Sequence, residues 1–166
     1  MMGGYRVAIL TVSDKGSRGE REDLSGLAVE EAVRGMGWRV EARDIVPDEL
    51  GDIEAKLRHY CDELGVDLVL TTGGTGLSPR DLTPEATRRV IHREAPGFVE
   101  AMRAASLRVT PHAMLSRAAS GIRGCTLVVN LPGSPRGARE NLEVILPALP
   151  HGLEKLRGDG GECATT

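Results

Sequence analysis

The chain has 166 residues, of which 40% are hydrophobic and 27% charged, and its formal net charge at pH 7 is −3. This length allows one domain with a sizeable core and leaves little room for two. We therefore expect one domain over residues 1–157, followed by a flexible tail of small polar residues over 158–166.

A slightly acidic chain has no general electrostatic attraction for nucleic acid. Apolar runs fall short of the roughly 20 residues of a membrane helix. The N-terminus also lacks the segments of a secretory signal, so we expect a cytoplasmic protein without nucleic-acid or membrane partners.

The cysteines, aromatic residues and histidines exclude several kinds of site. Three widely spaced cysteines exclude a disulfide framework and a CxxC zinc site, and they suit a reducing compartment. One Trp, two Tyr and one Phe are too few for a ligand site built on stacked rings. The four histidines are scattered without metal-ligand spacing, and we interpret them as structural or solvent-facing. A ligand site must therefore rely on backbone amides, hydroxyls and carboxylates.

In chain order, strand patterns alternate with helical patterns. The β-branched or alternating runs that predict strands cover residues 5–12, 38–46, 66–72 and 125–131. Apolar residues at helical spacing follow the first, second and fourth of these runs, over residues 29–36, 53–64 and 142–149. Thr83-Pro84 and Ser134-Pro135 both have the cap-plus-proline pattern of a helix start, the first predicting a helix to about residue 93, and a further helix is predicted over 96–107. This alternation predicts an α/β fold, a mostly parallel sheet covered on both faces.

Each of the four predicted strands ends in a polar or glycine-rich segment. These segments are Ser13-Asp14, Pro47-Asp48, Thr72 to Gly76 and Pro132-Gly133-Ser134. Ligands of open α/β sheets bind beyond the carboxyl ends of the strands. The sequence therefore predicts a site where these segments converge.

Gly73-Gly74-Thr75-Gly76 allows the backbone to approach a ligand closely, with amides available for phosphate. It is not a Walker A loop, because Leu77-Ser78 follows where Gly-Lys-Ser/Thr is needed, and Pro79 stands where the dinucleotide motif needs a third glycine. Taken alone, the segment is better explained as a tight turn.

Asp81 and Asp48 are candidate Mg²⁺ ligands and candidate catalytic residues. Asp81 lies five positions after Gly76, and Mg²⁺ prefers carboxylate oxygen together with substrate phosphates. Asp48 is the second carboxylate, at the end of a neighbouring strand. The alternatives are an exposed loop carboxylate or cap for Asp81 and a turn residue for Asp48.

Two later segments are candidate anion sites. Ser134 can cap a helix whose N-terminal amides favour an anion, although capping alone also explains it. Ser116-Arg117 supplies a hydroxyl and a guanidinium suited to phosphate, although a surface arginine is often only solvated.

Taken together, the segments resemble one known family over residues 6–157. The matching segments are TVSD (11–14), DLSG (23–26), VPD (46–48), TTGGTG (71–76), PRDLTPEAT (79–87), REAPG (93–97), LSR (115–117), GIRG (121–124) and NLPGS (130–134). They resemble the molybdopterin adenylyltransferases, a family that includes bacterial molybdenum-cofactor proteins and the G domain of gephyrin.

The resemblance implies a three-layer α/β/α sandwich, commonly a trimer, that converts molybdopterin and Mg-ATP into adenylyl-molybdopterin and pyrophosphate ahead of metal insertion. A molybdenum-insertion enzyme is the implied partner. Asp48 and Asp81 match the family's two essential acidic positions. The glycine loop matches its nucleotide-phosphate segment, and Ser116-Arg117 and Pro132-Gly133-Ser134 match its pterin side.

Two alternatives stay open. The first is a pterin-binding or carrier protein of the same family without turnover. The second is a flavodoxin-like FMN module, which the scarcity of aromatic residues disfavours.

Overall fold

A computed structural model describes residues 4–158, so the expected tail lies outside the described residues except for Gly158. The strands are β1 Arg6–Val12, β2 Arg39–Val46, β3 Leu68–Thr72, β4 Arg93–Glu94, β5 Ser120–Arg123 and β6 Thr126–Leu131. The helices are α1 Asp14–Ser17, α2 Leu24–Gly35, α3 Leu50–Arg58, α4 Thr83–Val90, α5 Gly97–Leu107, α6 Pro135–Ile145 and α7 Leu149–Arg157. A π-helical turn, His59–Glu63, extends α3, and a 3₁₀ turn spans Pro111–Leu115. No helix within residues 4–158 is long and apolar enough to cross a membrane.

The strands form one sheet in the order β2-β1-β3-β6-β5-β4. The first four are parallel, whereas β5 is antiparallel to β6 and β4 is antiparallel to β5. Because β2 and β3 lie on opposite sides of β1, the order reverses beside β1. This reversal creates the crevice at which open α/β sheets bind ligands.

Helices cover both faces of the sheet, which confirms the predicted α/β/α sandwich. Alternate side chains of β1 enter different cores, since Val7 and Ile9 pack on one face and Ala8 and Leu10 on the other. Apolar residues of α2, α5, α6 and α7 complete the first core, and those of α3 and α4 complete the second. Strands β1, β3 and β6 are therefore buried on both sides, whereas the edge strand β2 is partly exposed.

Two local predictions differ from the structure. Thr83 lies inside α4 rather than capping it, because its hydroxyl donates to the carbonyl of Gly73 at 2.9 Å. Helix α4 ends at Val90 and not near residue 93, so that Arg93–Glu94 can pair as a strand with β5.

The two ends of the described chain meet at the amino end of β1. Arg157 forms two hydrogen bonds with Asp67, at 2.9 and 2.8 Å, and Asp67 also accepts from the amide of Arg6 at 2.8 Å. The Arg157 guanidinium lies 4.5 Å from the centre of the Tyr5 ring, which packs edge-on against Trp38. These contacts fix α7 beside β1, at the edge of the sheet opposite to the carboxyl ends of the parallel strands.

Candidate active site

A cavity of about 680 Å³ opens at the carboxyl ends of the parallel strands. Its walls come from Thr11 to Ser13 at the end of β1, Gly16 of α1, Asp48 after β2, Thr72 to Gly74 at the end of β3, and Gly133 to Pro135 at the start of α6. Asp81 and the segment 21–25 complete it. The convergence of strand ends predicted from the sequence is thus present as one cavity.

The loop after β3 needs glycine at its first two positions. Gly73 and Gly74 have φ angles of 98° and 69°, a region that favours glycine. A Cβ atom would also clash with the carbonyl oxygen of Val12 at the first position and with the hydroxyl of Thr83 at the second. Within residues 4–158, the amides of Gly74, Thr75 and Gly76 have no hydrogen-bond acceptor. They are available to bind an anion.

Asp48 is half-buried and exchanges two hydrogen bonds with Asp14. Its carboxylate accepts from the Asp14 amide at 2.8 Å, and its own amide donates to the Asp14 carboxylate at 3.0 Å. Burial raises the pKa of Asp48, and the nearby charges of Asp14 and Asp81 raise it further against the opposing effect of the Asp14 amide. The site therefore holds a carboxylate whose negative charge a cation would stabilise.

Asp14 is itself held by Arg80. The guanidinium donates to both carboxylate oxygens, at 2.6 and 2.9 Å, and with the Asp48 amide it lowers the pKa of Asp14 to about 2. Asp14 does not line the cavity. The structure thus places it behind Asp48.

Asp81 stands at the end of the loop that begins at Gly76. One carboxylate oxygen accepts from the Ser78 amide at 3.0 Å. Within the described part of the chain, no hydrogen-bond donor reaches the other oxygen, and the same holds for the second oxygen of Asp48. Two carboxylates that face one cavity, each with an available oxygen, fit the donor set by which proteins hold Mg²⁺ together with substrate phosphates.

A second cavity, of about 370 Å³, adjoins the first at Ser134. It is lined by Thr75, Gly76, Ser116 and Pro132 and by apolar residues that include Val99 and Met102. The glycine loop and the Pro132-Gly133-Ser134 segment therefore each contribute to both cavities. Ser134 accepts from the Gly137 amide at 3.0 Å and caps α6 as predicted.

Arg117 lines neither cavity. Its guanidinium donates to the carbonyls of Gly76 at 2.7 Å and Asp81 at 2.6 Å, and it forms an ion pair with Glu85. Its amide also donates to the carbonyl of Thr75 at 2.8 Å. The side chain expected to bind phosphate is instead engaged with both ends of the loop that carries Asp81.

Sequence reasoning missed two parts of the cavity wall. Arg21 is the one cationic side chain among the described residues that line the larger cavity, and no motif marks it. Asp23 caps α2 by accepting from the Gly26 amide at 2.9 Å, and the Thr11 hydroxyl donates to it at 2.9 Å. The position of Asp23 could have been predicted from the Asp23-Leu24-Ser25-Gly26 segment, because an aspartate before an apolar helical stripe is a typical helix cap.

Comparisons with known proteins agree with this geometry. Residues 8–151 match the model of the MoCF_biosynth family, a probable molybdopterin binding domain. The chain is 44% identical over 158 residues to a molybdopterin adenylyltransferase of Helicobacter pylori strain J99, covering 92% of this chain and 88% of that one. It is 42% identical over 150 residues to the molybdopterin adenylyltransferase of Escherichia coli K12, covering 89% and 76%. The crystal structure of the molybdopterin biosynthesis enzyme MoaB of Thermus thermophilus superposes with a TM-score of 0.88 at 56% identity, covering 93% and 98%.

Proposed function

The chain belongs to the family of molybdopterin binding domains, and from this membership we propose that it adenylylates molybdopterin in molybdenum cofactor biosynthesis. ATP is the adenylyl donor and pyrophosphate the second product. The observation that carries the proposal is that Asp48 and Asp81 face the same cavity as the glycine loop. Carboxylates and free amides together suit a reaction between two phosphate-bearing substrates.

In the proposed reaction, a terminal phosphate oxygen of molybdopterin forms a bond to the α-phosphorus of ATP. The bond from that phosphorus to the pyrophosphate oxygen breaks, and its electron pair leaves with pyrophosphate. Both reactants are polyanions, so repulsion between them is the main obstacle. Asp48 and Asp81 would hold Mg²⁺, which would supply charge neutralisation and favour the departure of pyrophosphate.

The residues of this chain position the two reactants. The amides of Gly74, Thr75 and Gly76 donate to phosphate oxygens, and Arg21 adds a positive charge at the cavity wall. No general base is required, because a phosphate monoester is largely ionised near pH 7.

We assign ATP to the larger cavity and the pterin to the smaller one. The smaller cavity combines polar residues with apolar ones such as Val99 and Met102, and it contains Ser116 and Pro132 of the predicted pterin side. The reacting phosphates then meet at Ser134, which borders both cavities and begins α6. An N-terminal helix dipole at this point favours the pterin phosphate.

Pyrophosphate release on mixing the protein, Mg-ATP and molybdopterin tests the function. We expect wild-type turnover and a loss of about a hundredfold or more in Asp81→Asn, because one metal-binding carboxylate is removed. Asp52→Asn, an exposed aspartate on α3, is the matched control and should keep full activity. Wild-type protein that binds molybdopterin but releases no pyrophosphate would instead support the carrier alternative.

We further propose that residues 1–157 form a single domain that assembles as a homotrimer in the cytoplasm and passes its product to a molybdenum-insertion enzyme. The family resemblance and the biosynthetic roles named for bacterial relatives support this assignment. Sedimentation equilibrium should give three times the 17.7 kDa chain mass. A mass of one chain at all concentrations would contradict the trimer.

A further inference from the structure

Arg80 connects the loop that carries Asp81 to the residues around Asp48. It directly precedes Asp81, and its guanidinium binds Asp14 through two hydrogen bonds and Glu49 through one at 2.8 Å. Glu49 directly follows Asp48 in the chain, and Asp14 exchanges two hydrogen bonds with Asp48. Arg80, the residue before Asp81, thus binds two residues beside Asp48. Glu49 is next to Asp48 in the chain, and Asp14 is hydrogen-bonded to it.

We propose that Arg80 is a positioning residue that sets the separation of Asp48 and Asp81, acting through Asp14 and Glu49. The proposal rests on the metal site of the proposed function and goes beyond it, since neither Arg80 nor Asp14 lines either cavity. Arg80 acts on the two carboxylates from outside the place where substrate binds.

The local structure explains why such a link is needed. Residues 77–80 are exposed, and the loop there has no regular secondary structure. Arg117 fixes the two ends of this loop from the side of Glu85, but its hydrogen bonds within residues 4–158 do not reach Asp14 or Asp48. Asp48 and Asp81 carry like charges and line the same cavity, so they repel each other, and an unlinked loop would relax away from Asp48.

The planar guanidinium is suited to this task. Arginine holds a carboxylate through two parallel hydrogen bonds, whereas lysine offers a single point charge on a flexible chain. Replacing Arg80 by lysine therefore keeps the charge and removes the geometry. Replacing it by methionine removes both.

These two variants separate positioning from simple electrostatics. Loss of a nearby positive charge must by itself raise the affinity of the site for a divalent cation, because one repulsive interaction disappears. Loss of positioning must lower that affinity, because the two carboxylates no longer present their oxygens at a fixed distance. The two explanations thus predict opposite signs for Arg80→Met.

The experiment is a titration of the substrate-free full chain with Mn²⁺, in which the relaxation rate of water protons measures binding. The signal of an Asp48→Asn/Asp81→Asn double variant is subtracted as binding elsewhere. We expect both Arg80→Lys and Arg80→Met to bind Mn²⁺ about tenfold more weakly than wild type, as is usual when a residue that orients a metal ligand is removed. Arg89→Met is the matched control, an exposed arginine paired with Glu54 at 3.2 Å outside both cavities, and it should leave the affinity unchanged.

Other outcomes contradict the proposal. If Arg80→Lys bound Mn²⁺ as tightly as wild type and Arg80→Met bound it more tightly, the charge of Arg80 alone would explain its effect on the site. Unchanged affinity in both variants, with a raised KM for ATP, would make Arg80 a substrate ligand. Thermal unfolding confirms that each variant is folded. If wild type binds no more Mn²⁺ than the double variant, the metal site and this inference both fail, while pyrophosphate release independently tests adenylyl transfer.

Discussion

The carboxyl group of Asp48 is withdrawn from solvent and lies near the charges of Asp14 and Asp81, and these conditions raise its pKa. A carboxyl whose pKa is higher in the folded than in the unfolded chain stabilises the fold when protonated. That stabilisation is complete below the unfolded pKa near 3.9 and is lost as the pH rises through the folded-state value. At neutral pH, Asp48 therefore destabilises the metal-free protein.

It follows that Asp48→Asn should be more stable than wild type at pH 7 while losing adenylyl transfer. Asparagine retains an oxygen that can accept from the Asp14 amide, so the local fold is preserved. Urea unfolding in EDTA should show a gain at pH 7 that shrinks as the pH falls toward about 4. A variant less stable than wild type at pH 7 would contradict this account of the site.

Arg117 provides a second prediction at the scale of the residue. Because its guanidinium holds the carbonyls of Gly76 and Asp81, Arg117→Lys should lower kcat about tenfold with little change in the KM for molybdopterin. Glu85→Gln should shift the same parameter in the same direction, since Glu85 lines neither cavity and reaches the site only through Arg117. If Arg117→Lys instead raised the KM for molybdopterin and Glu85→Gln left the kinetics unchanged, Arg117 would be a phosphate ligand, as first expected.

The residues of the candidate site were predictable to the extent that strand ends indicate them. Ser13, Asp48, Gly73 and Gly74 follow parallel strands, and the sheet brings them together. Sequence could not show which polar groups are already engaged. Arg117 is held by main-chain carbonyls, which no side-chain pattern records. The assignment of the cavities to ATP and to the pterin stays a prediction.

At the scale of the elements, a buried side-chain amide at the wall of the smaller cavity joins two strands and a helix. Asn130 of β6 donates to the hydroxyls of Thr71 on β3 and Thr87 on α4, at 3.0 and 2.9 Å. Its oxygen accepts from the amide of Ala119 at 3.0 Å, and the residue is fully buried. Asn130 thus fixes how the ends of β3 and β6 lie beside each other.

Asn130→Leu should lower the free energy of unfolding by about 2 to 3 kcal/mol, because the buried amide of Ala119 loses its acceptor. Chemical denaturation at pH 7 measures this change. A loss below about 0.5 kcal/mol, the range of ordinary surface substitutions, would show that the network adds little.

The elements that the sequence predicted well are those with long apolar patterns, such as β1 and β3. Strands β4 and β5 were missed because Arg93–Glu94 is too short for a pattern and Ser120–Arg123 contains a glycine. Gly121 is needed there, since a Cβ atom would lie 2.6 Å from the Arg93 carbonyl oxygen. This is a tertiary reason that local propensity does not contain.

For the whole molecule, the alternation of strands and helices sufficed to predict the class of fold and the edge of the sheet that forms the site. The strand order did not follow from it, because β3 pairs with β6 and not with the strand that comes next in the chain. The division of the site into two cavities was also not predictable. It depends on α5 and the 3₁₀ turn packing against α6, which no strand end indicates.

The contact of Arg157 with Tyr5 and Asp67 means that residues 5 and 157 are close enough to be joined. A circular permutant that links them through a short Gly/Ser linker and opens between the exposed Pro147 and Ala148 should fold and keep pyrophosphate release within about twofold of wild type. Its circular dichroism and turnover can be compared with those of the linear protein, and a large loss of either would contradict the prediction. The linked ends and the new ends of the permutant lie outside the two cavities of the site. Other domains could therefore be fused at either place without blocking entry to the active site.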